Sequence, residues 1–186
     1  MLWKIFLSAA ALLLLNGCAL FVESVELPPV KHFELPRYLG VWHEIARLPN
    51  PYEKGMTHVT AEYLLRPDGR LLIRNCGRID GELRCAEAVG DPAGAPEQGL
   101  LRISFFRPFY GEYRIIRLND TYTTAVVTGS RMNRLWILAR TPEIPKAEFQ
   151  QIIAWLTAHG FDLSELESGQ IPSSAPVNEE KGKDSR

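Results

Sequence analysis

Eight short segments in which apolar and polar residues alternate constrain the fold of this 186-residue chain more than any other feature. Successive side chains of a β-strand point to opposite faces, so such alternation indicates strands that are buried on one side. Turn residues separate most of the segments by a few positions, which is typical of antiparallel neighbours. The predicted strands cover residues 41–48, 57–66, 70–78, 83–90, 99–106, 112–118, 122–129 and 133–140.

Closing such a sheet removes the exposed edge strands that would otherwise pair with other chains. The sequence therefore predicts an all-β fold, an eight-stranded antiparallel up-and-down β-barrel. From Pro145 to Gly160 the apolar residues recur at helical spacing, which predicts a C-terminal α-helix packed on the outside of the barrel. Residues 168–186 are polar and predict a disordered tail. The helical stripe consists of Phe149, Ile152, Ile153 and Leu156.

The first eighteen residues combine a short apolar run with a cysteine. The uncharged run over residues 5–15 is too short to span a bilayer and is typical of a secretory signal. It leads into a lipobox-like stretch at Cys18, although Asn16 is unusual two residues before that cysteine. We therefore predict a signal peptide over residues 1–17, lipidation of Cys18, and a tether and cap over residues 18–34. The alternative is an ordinary signal peptide followed by an incidental cysteine.

Two further cysteines flank a tight turn. Export would bring the chain into an oxidising compartment, where such cysteines can pair. Asp80-Gly81 is a two-residue hairpin signal of type I′ between the third and fourth predicted strands. This turn sets Cys76 opposite Cys85, and the same register brings an arginine opposite a glutamate. The sequence therefore predicts a disulfide between Cys76 and Cys85.

Charge and side-chain spacing argue against other partners. The formal net charge of -1 gives no electrostatic basis for binding nucleic acid. No Cys-x-x-Cys motif or cysteine–histidine cluster has the spacing of a metal site. We therefore expect no nucleic acid, no metal and no other cofactor.

Three stretches carry the motifs of a known family, namely residues 38–47, 104–111 and 136–142. The first contains Gly40 and Trp42 in a Gly-x-Trp, and the last ends its strand in Arg140. Together they resemble the lipocalins and, within that family, the bacterial outer-membrane lipocalins. The resemblance implies a lipocalin domain over residues 35–167. Gly40 allows a tight turn into the first strand, and in a closed barrel Arg140 can lie over the Trp42 indole.

Matching the alternation of lipocalin strands to Trp42 gives a set of interior residues. Several are small, which leaves room for a ligand, although small residues could instead only relieve crowding. Arg114 and Arg134 fall near the open mouth, where they could pair with a phosphate or carboxylate head group or remain solvated. Tyr110 falls on an aromatic mouth loop, which suggests contact with an apolar ligand or a membrane. The candidate ligand-binding residues are Ala46, Ala61, Tyr63, Ile73, Ala88, Ile103, Phe105, Tyr110, Arg114, Ile116, Ala125, Arg134, Trp136 and Leu138.

The resemblance implies a binding protein. We expect a lipid-anchored lipoprotein on the periplasmic side of the outer membrane that stores or transports lysophospholipids or fatty acids in envelope maintenance or stress. Ala19, which follows Cys18 where inner-membrane lipoproteins carry Asp, favours the outer membrane. The sequence leaves open whether the protein forms a homodimer.

Two alternatives compete with this interpretation. A lipocalin-fold enzyme acting on a lipid or isoprenoid would need an activated nucleophile or base inside the barrel. Glu44 is the only ionisable side chain predicted deep inside the first strand, and we expect it to serve as a structural hydrogen-bonding group. A structural anchor without a ligand would have a filled barrel, which the small interior residues oppose.

Overall fold

The alternating segments form a closed sheet in the computed structural model, which describes residues 24–170. The predicted signal peptide, the lipidation site at Cys18 and residues 171–186 of the predicted tail lie outside the described residues. The elements are α1 Leu35–Tyr38, β1 Gly40–Arg47, β2 Thr57–Leu65, β3 Leu71–Ile79, β4 Glu82–Pro92, β5 Leu100–Phe106, β6 Phe109–Leu118, β7 Thr124–Thr128, β8 Leu135–Ala139, α2 Lys146–Ala158 and β9 Glu167–Ser168.

Each of the first seven strands pairs antiparallel with the next, and β1 pairs with both β2 and β8. The predicted eight-stranded up-and-down barrel is therefore confirmed. β6 begins three residues earlier than predicted, because Phe106 pairs with Phe109 across only Arg107 and Pro108. We call the end that carries the β1–β2, β3–β4, β5–β6 and β7–β8 connections the mouth, and the end next to α1 the closed end.

The β3–β4 hairpin has the predicted register. Asp80 and Gly81 both have positive φ, at 52° and 82°, as a type I′ turn requires. Cys76 lies opposite Cys85 and the two form a disulfide, which confirms that prediction. The arginine and glutamate of the same register, Arg74 and Glu87, pair with Nε 3.1 Å from Oε1.

The helix α2 packs on the outer wall through its apolar stripe, as predicted. Ile152 and Leu156 are buried in one cluster with Val126 of β7 and Ile137 of β8. Within residues 24–170, no helix has both the length and the apolar character needed to cross a membrane.

A short strand near the C-terminus completes the barrel seam. β1 and β2 pair only over residues 40–43 of β1, near the closed end, and β9 pairs with β1 farther toward the mouth. The N–H of Gly169 donates to the oxygen of Ile45, and the N–H of Val59 donates to the oxygen of Gly169. Residues 168–170, which we assigned to the disordered tail, therefore bridge β1 and β2 where these strands separate.

The N-terminal segment, residues 24–34, lies along the barrel from the mouth to the closed end. Ser24 forms a β-bridge with Arg131 in the β7–β8 connection at the mouth. Farther along, the N–H of Phe33 donates to the oxygen of Glu97 in the β4–β5 connection at the closed end. This segment is the described part of the predicted tether and cap.

Candidate functional site

Arg140 and Trp42 seal the closed end. The guanidinium carbon of Arg140 lies 4.0 Å from the centre of the Trp42 ring, the stacking that a closed barrel predicts. Its Nη1 and Nη2 each donate to a backbone carbonyl oxygen at 2.8 Å. Gly40 has a φ of +91°, and a Cβ there would lie 3.5 Å from Arg140 Nη1. Glycine therefore suits both the backbone and the space beside the guanidinium.

Three tyrosines pack beside Trp42 at the closed end, where the ring centres of Tyr38 and Trp42 lie 4.7 Å apart. The hydroxyl of Tyr113 lies 2.7 Å from that of Tyr38 and 2.6 Å from that of Tyr63. Burial raises the pKa of each of the three hydroxyls well above its ordinary value, so they are neutral hydrogen-bonding partners. These rings form a packed floor beneath the mouth half of the interior.

The small interior residues at this level are packed. Ala88 and Ala125 are buried in the same cluster as Leu71 and Ile73. A Cβ added at Gly90 would lie 2.9 Å from Ile73 Cδ1. For these residues the alternative interpretation, that small side chains relieve crowding, describes the structure, because they make room for neighbouring core residues.

A bulge in β1 reverses the predicted facing of Ala46. The β1–β8 register shifts between Glu44 and Ala46, so that Ala46 pairs with Ile137 and joins the cluster beneath α2. Arg47 then pairs with Trp136 and is buried. One extra residue in a strand moves the following side chains to the opposite face. The prediction that Ala46 lines the interior is therefore wrong.

The facing predicted for the middle of β6 is also wrong. Tyr113 and Ile115 pack in the inner cluster, whereas Ile116 belongs to the cluster beneath α2. The β6–β7 register shifts between Ile115 and Arg117, which returns Leu118 to the inner cluster. The sequence prediction assumed strict alternation. With Leu118 inside, it placed Ile116 inside and Tyr113 outside, and both assignments were wrong.

Arg114 lies on the outer wall and is not free to hold a head group at the mouth. Its Nη1 donates to the oxygens of Val25 and Leu27, at 2.9 and 2.8 Å. Its Nη2 lies 2.7 Å from Oε1 of Glu112. Arg114 therefore fastens the N-terminal segment to the barrel.

Three other candidates lie near the mouth. Tyr110 belongs to β6 rather than to a loop, and its ring faces Arg102, whose guanidinium carbon is 5.4 Å from the ring centre. Phe105 is exposed near the end of β5, beside a register shift. Arg134 is half-buried just before β8, and no hydrogen bond or ion pair found among residues 24–170 uses its guanidinium.

The mouth half of the interior contains a buried ion cluster. Arg47 Nη1 donates to Glu44 Oε1 at 2.6 Å, and Arg47 Nη2 lies 3.2 Å from Glu167 Oε2. The same Nη2 donates to the backbone oxygens of Glu53 and Met56 at 3.0 and 3.1 Å. This guanidinium therefore joins β1, β9 and the β1–β2 connection.

Arg47 is, after Tyr113, a second interior residue that alternation missed. A carboxylate predicted to face inward requires a buried partner, and a cation three residues along the same strand could have indicated one. Burial, with a contribution from the nearby Glu53 carboxylate, raises the pKa of Glu44 to about 8 although Arg47 acts to lower it. Glu44 therefore has the structural role that we expected for it.

The β1–β2 connection lies against the mouth interior through Glu53. Glu53 Oε2 accepts a hydrogen bond from Trp136 Nε1 at 3.0 Å and another from Asn50 Nδ2. The connection thereby fixes one side of the Trp136 indole.

Partly exposed residues remain on the interior walls. Ala61 and Ile103 are half-buried against the inner cluster. Asn75 pairs with Ala86, and its buried Oδ1 has no hydrogen-bond partner among the described residues. Ligand binding at any candidate stays a prediction, but the candidates that pack with the inner cluster are Ala61, Tyr63, Ile73, Ala88, Ile103, Ala125, Trp136 and Leu138.

Metal ligation finds no support in the part of the chain that the structure describes. No group of three or more His, Cys, Asp and Glu side chains there could hold an ion.

Comparisons with known proteins agree with this architecture. A family profile described as a lipocalin-like domain matches residues 33–170. The chain is 40% identical over 156 residues to the outer membrane lipoprotein Blc of Vibrio cholerae, covering 82% of this chain and 90% of the relative. It is 39% identical over 169 residues to the protein of the same name from Escherichia coli K12, covering 90% and 96%.

The fold also matches a solved structure at low sequence identity. Insecticyanin from the tobacco hornworm Manduca sexta superposes with a TM-score of 0.64 at 21% identity, covering 82% of this chain and 88% of that protein.

Proposed function

Because this chain belongs to the lipocalin family, we propose that it is an outer-membrane lipoprotein whose barrel binds a long-chain lipid, a lysophospholipid or a fatty acid. It stores or transports this lipid on the periplasmic side of the outer membrane, in envelope maintenance or stress. The relatives that are 39–40% identical over most of the chain, both named outer membrane lipoprotein Blc, support the location.

The division of the interior into a packed floor and a partly exposed mouth half carries the proposal. Below, the three tyrosines and Trp42 leave a rigid aromatic floor. Above it, Trp136, which lies opposite Arg47 at the mouth end of β1, remains partly exposed, and Ala61 and Ile103 are partly exposed on the interior walls. Pockets for small molecules combine apolar walls with a few polar groups, and the orphaned Oδ1 of Asn75 supplies one such group.

An acyl chain is the ligand that such walls suit. Each methylene removed from water contributes about 0.8 kcal/mol before the ordering costs of binding. Because the floor is packed, only part of a long chain fits, and the head group would remain at the mouth. Arg134 at the mouth is the cation we assign to the head group, since Arg114 is bound to the N-terminal segment and Arg47 to carboxylates.

The anchor follows from the sequence before the described residues. We infer that the signal peptide ends at residue 17 and that Cys18 carries the lipid, as the lipobox-like stretch indicates. Several acyl chains hold a protein at a bilayer far more firmly than one.

A binding role also accounts for the ionisable groups better than catalysis does. Cys76 and Cys85 are held in a disulfide, so neither is a free thiol nucleophile. Glu44 is buried against Arg47 and is not a free base. We therefore propose that the protein is not an enzyme.

Native mass spectrometry of the protein purified gently from membranes tests the proposal. We expect a retained species with the mass of a lysophospholipid or fatty acid that is lost from an Ala86→Trp variant. Ligand-free spectra from membranes, together with no binding of added fatty acid, would contradict it.

A further inference from the structure

The N-terminal segment joins the barrel at its mouth. Ser24 bridges to Arg131, and the N–H of Val25 donates to the oxygen of Ser130 at 3.2 Å, both in the β7–β8 connection. The chain then leads away from the mouth to Phe33 at the closed end. Whatever precedes Ser24 is therefore attached to the mouth end of the barrel.

The mouth connections present large apolar side chains to solvent. Phe106 and Phe109 close the β5–β6 hairpin and are 75% and 78% exposed. Tyr52 in the β1–β2 connection is 78% exposed, and Leu83 beside the β3–β4 turn is 62% exposed. We call these four residues the rim. Single exposed apolar residues are normal, but their occurrence on three connections at one end of a barrel marks an interaction surface.

Basic side chains accompany the rim. The mouth connections carry four cations for which no ion pair is found within residues 24–170, namely Lys54, Arg107, Arg131 and Arg134. Of the acidic residues beside the β3–β4 turn, Glu82 is paired with Arg84 at 2.6 Å, whereas Asp80 is exposed and forms no ion pair within the described residues. At the closed end, three arginines are paired with carboxylates, namely Arg37 with Glu34, Arg66 with Asp68 and Arg70 with Asp91, and Arg140 is held by Trp42 and backbone oxygens.

We propose that the rim docks onto the membrane surface that holds the lipid anchor, so that the barrel opens directly onto the lipid leaflet. The inference rests on the proposed lipidation of Cys18. Aromatic side chains mixed with arginine and lysine suit the boundary between head groups and acyl chains, and each basic residue near an anionic surface strengthens the attraction. A lipid can then pass between the leaflet and the barrel without crossing water.

The length of the tether permits this orientation. The six residue steps from Cys18 to Ser24 span at most about 21 Å. The distance that the tether must cover can be estimated along β6. Arg114 binds Val25, and Phe109 of the rim lies five residues farther along this strand, which is about 17 Å. The strand tilts in the barrel, so the distance along the barrel axis is shorter. An anchor on Cys18 can therefore reach the plane of the rim while residues 24–34 stay bound to the wall.

Tryptophan quenching by brominated lipid tests the orientation. The full lipidated chain is reconstituted into vesicles of phosphatidylethanolamine and phosphatidylglycerol that contain phospholipids brominated on the acyl chains. Phe109→Trp at the mouth is compared with Leu65→Trp, an exposed residue at the end of β2 near the closed end, and with the unsubstituted chain as the background. We expect the added fluorescence of Phe109→Trp to be quenched at least threefold more strongly than that of Leu65→Trp.

The outcomes separate the inference from the function on which it rests. Incorporation with equal quenching at both positions, or stronger quenching of Leu65→Trp, would overturn the orientation and leave the anchor intact. Weak quenching of Phe109→Trp together with cross-linking of two copies through their rims would show that a second copy covers this surface, which also overturns the proposal. A chain that does not incorporate at all would overturn the anchor and, with it, this inference. Stronger quenching at the mouth supports the orientation even if no lipid is found inside the barrel.

Discussion

The closed end and the mouth of this barrel are stabilised by different interactions. At the closed end, Trp42 and the three tyrosines pack against one another, and Arg140 seals them from outside. At the mouth, a buried arginine holds together two strands and a connection through carboxylates and backbone oxygens. If the proposed function holds, the closed end supplies stability and the mouth half admits the ligand. The predictions below test this division, from the largest expected effect to the smallest.

Disrupting the aromatic floor should cause the largest loss in the free energy of unfolding. Trp42→Ala deletes a fully buried indole, for which losses of about 3–5 kcal/mol in the free energy of unfolding are usual. The matched control is Trp155→Ala on α2, whose side chain is partly exposed. Urea denaturation measures both, and an equal loss in the two variants would show that the floor has no special role.

Breaking the ion cluster around Arg47 should lower the free energy of unfolding by nearly as much. At about pH 9, above the raised pKa of Glu44, Arg47→Met leaves the Glu44 carboxylate buried without its cation, and removing one partner of a buried pair costs about 3–5 kcal/mol. Adding Glu44→Gln to Arg47→Met should recover much of this loss, because the double variant no longer buries a carboxylate that lacks a cation. Denaturation of the single and double variants checks it, and identical stabilities would show that the two residues are not coupled.

The same cluster predicts how stability depends on pH. The folded protein keeps Glu44 protonated up to a pKa of about 8, whereas the ordinary value is 4.5. Between these values the folded state binds more protons than the unfolded state, so this group lowers stability as pH rises, by at most about 5 kcal/mol. Glu44→Gln should flatten the profile between pH 4.5 and 8. A variant profile parallel to that of the parent would contradict the raised pKa.

The sequence predicted the features that one strand period or one turn determines. Trp42 opens β1 before any bulge, and the Asp80-Gly81 turn alone sets the register that joins Cys76 to Cys85. It missed the features that depend on irregularities, which alternation does not contain. A bulge before Ala46 turned Arg47 inward at the mouth, and a register shift in β6 exchanged the faces that we had assigned, so that Tyr113 of the floor was missed. The contacts of residues 168–170 with β1 and β2 are long-range and leave no local pattern.

The disulfide links the two strands near the mouth and should have a moderate effect. It closes a short loop, so its loss should cost about 2 kcal/mol, the lower part of the usual range. Paired substitution Cys76→Ser with Cys85→Ser avoids a free thiol. Thermal unfolding measures the change, and an unchanged midpoint would mean that the Asp80-Gly81 turn alone holds this hairpin.

Two alanines on one strand give the sharpest contrast between the halves of the interior. Ala88→Trp should destabilise the protein by about 1–3 kcal/mol or more, since Ala88 is packed in the inner cluster. Ala86→Trp, two residues nearer the mouth on the same face and exposed, should retain stability but weaken the binding of a fluorescent fatty acid. Similar stability losses at both positions would show that the mouth half is packed as well.

The native tryptophans allow the most direct test of lipid binding inside the barrel. Trp136 lies inside near the mouth and Trp155 lies outside on α2. Titrating a brominated fatty acid into the mature protein should quench its fluorescence. Trp136→Phe should remove most of the quenchable signal, and Trp155→Phe should leave it unchanged. Loss of the quenchable signal in Trp155→Phe instead would place the lipid on the outer wall and contradict binding in the barrel.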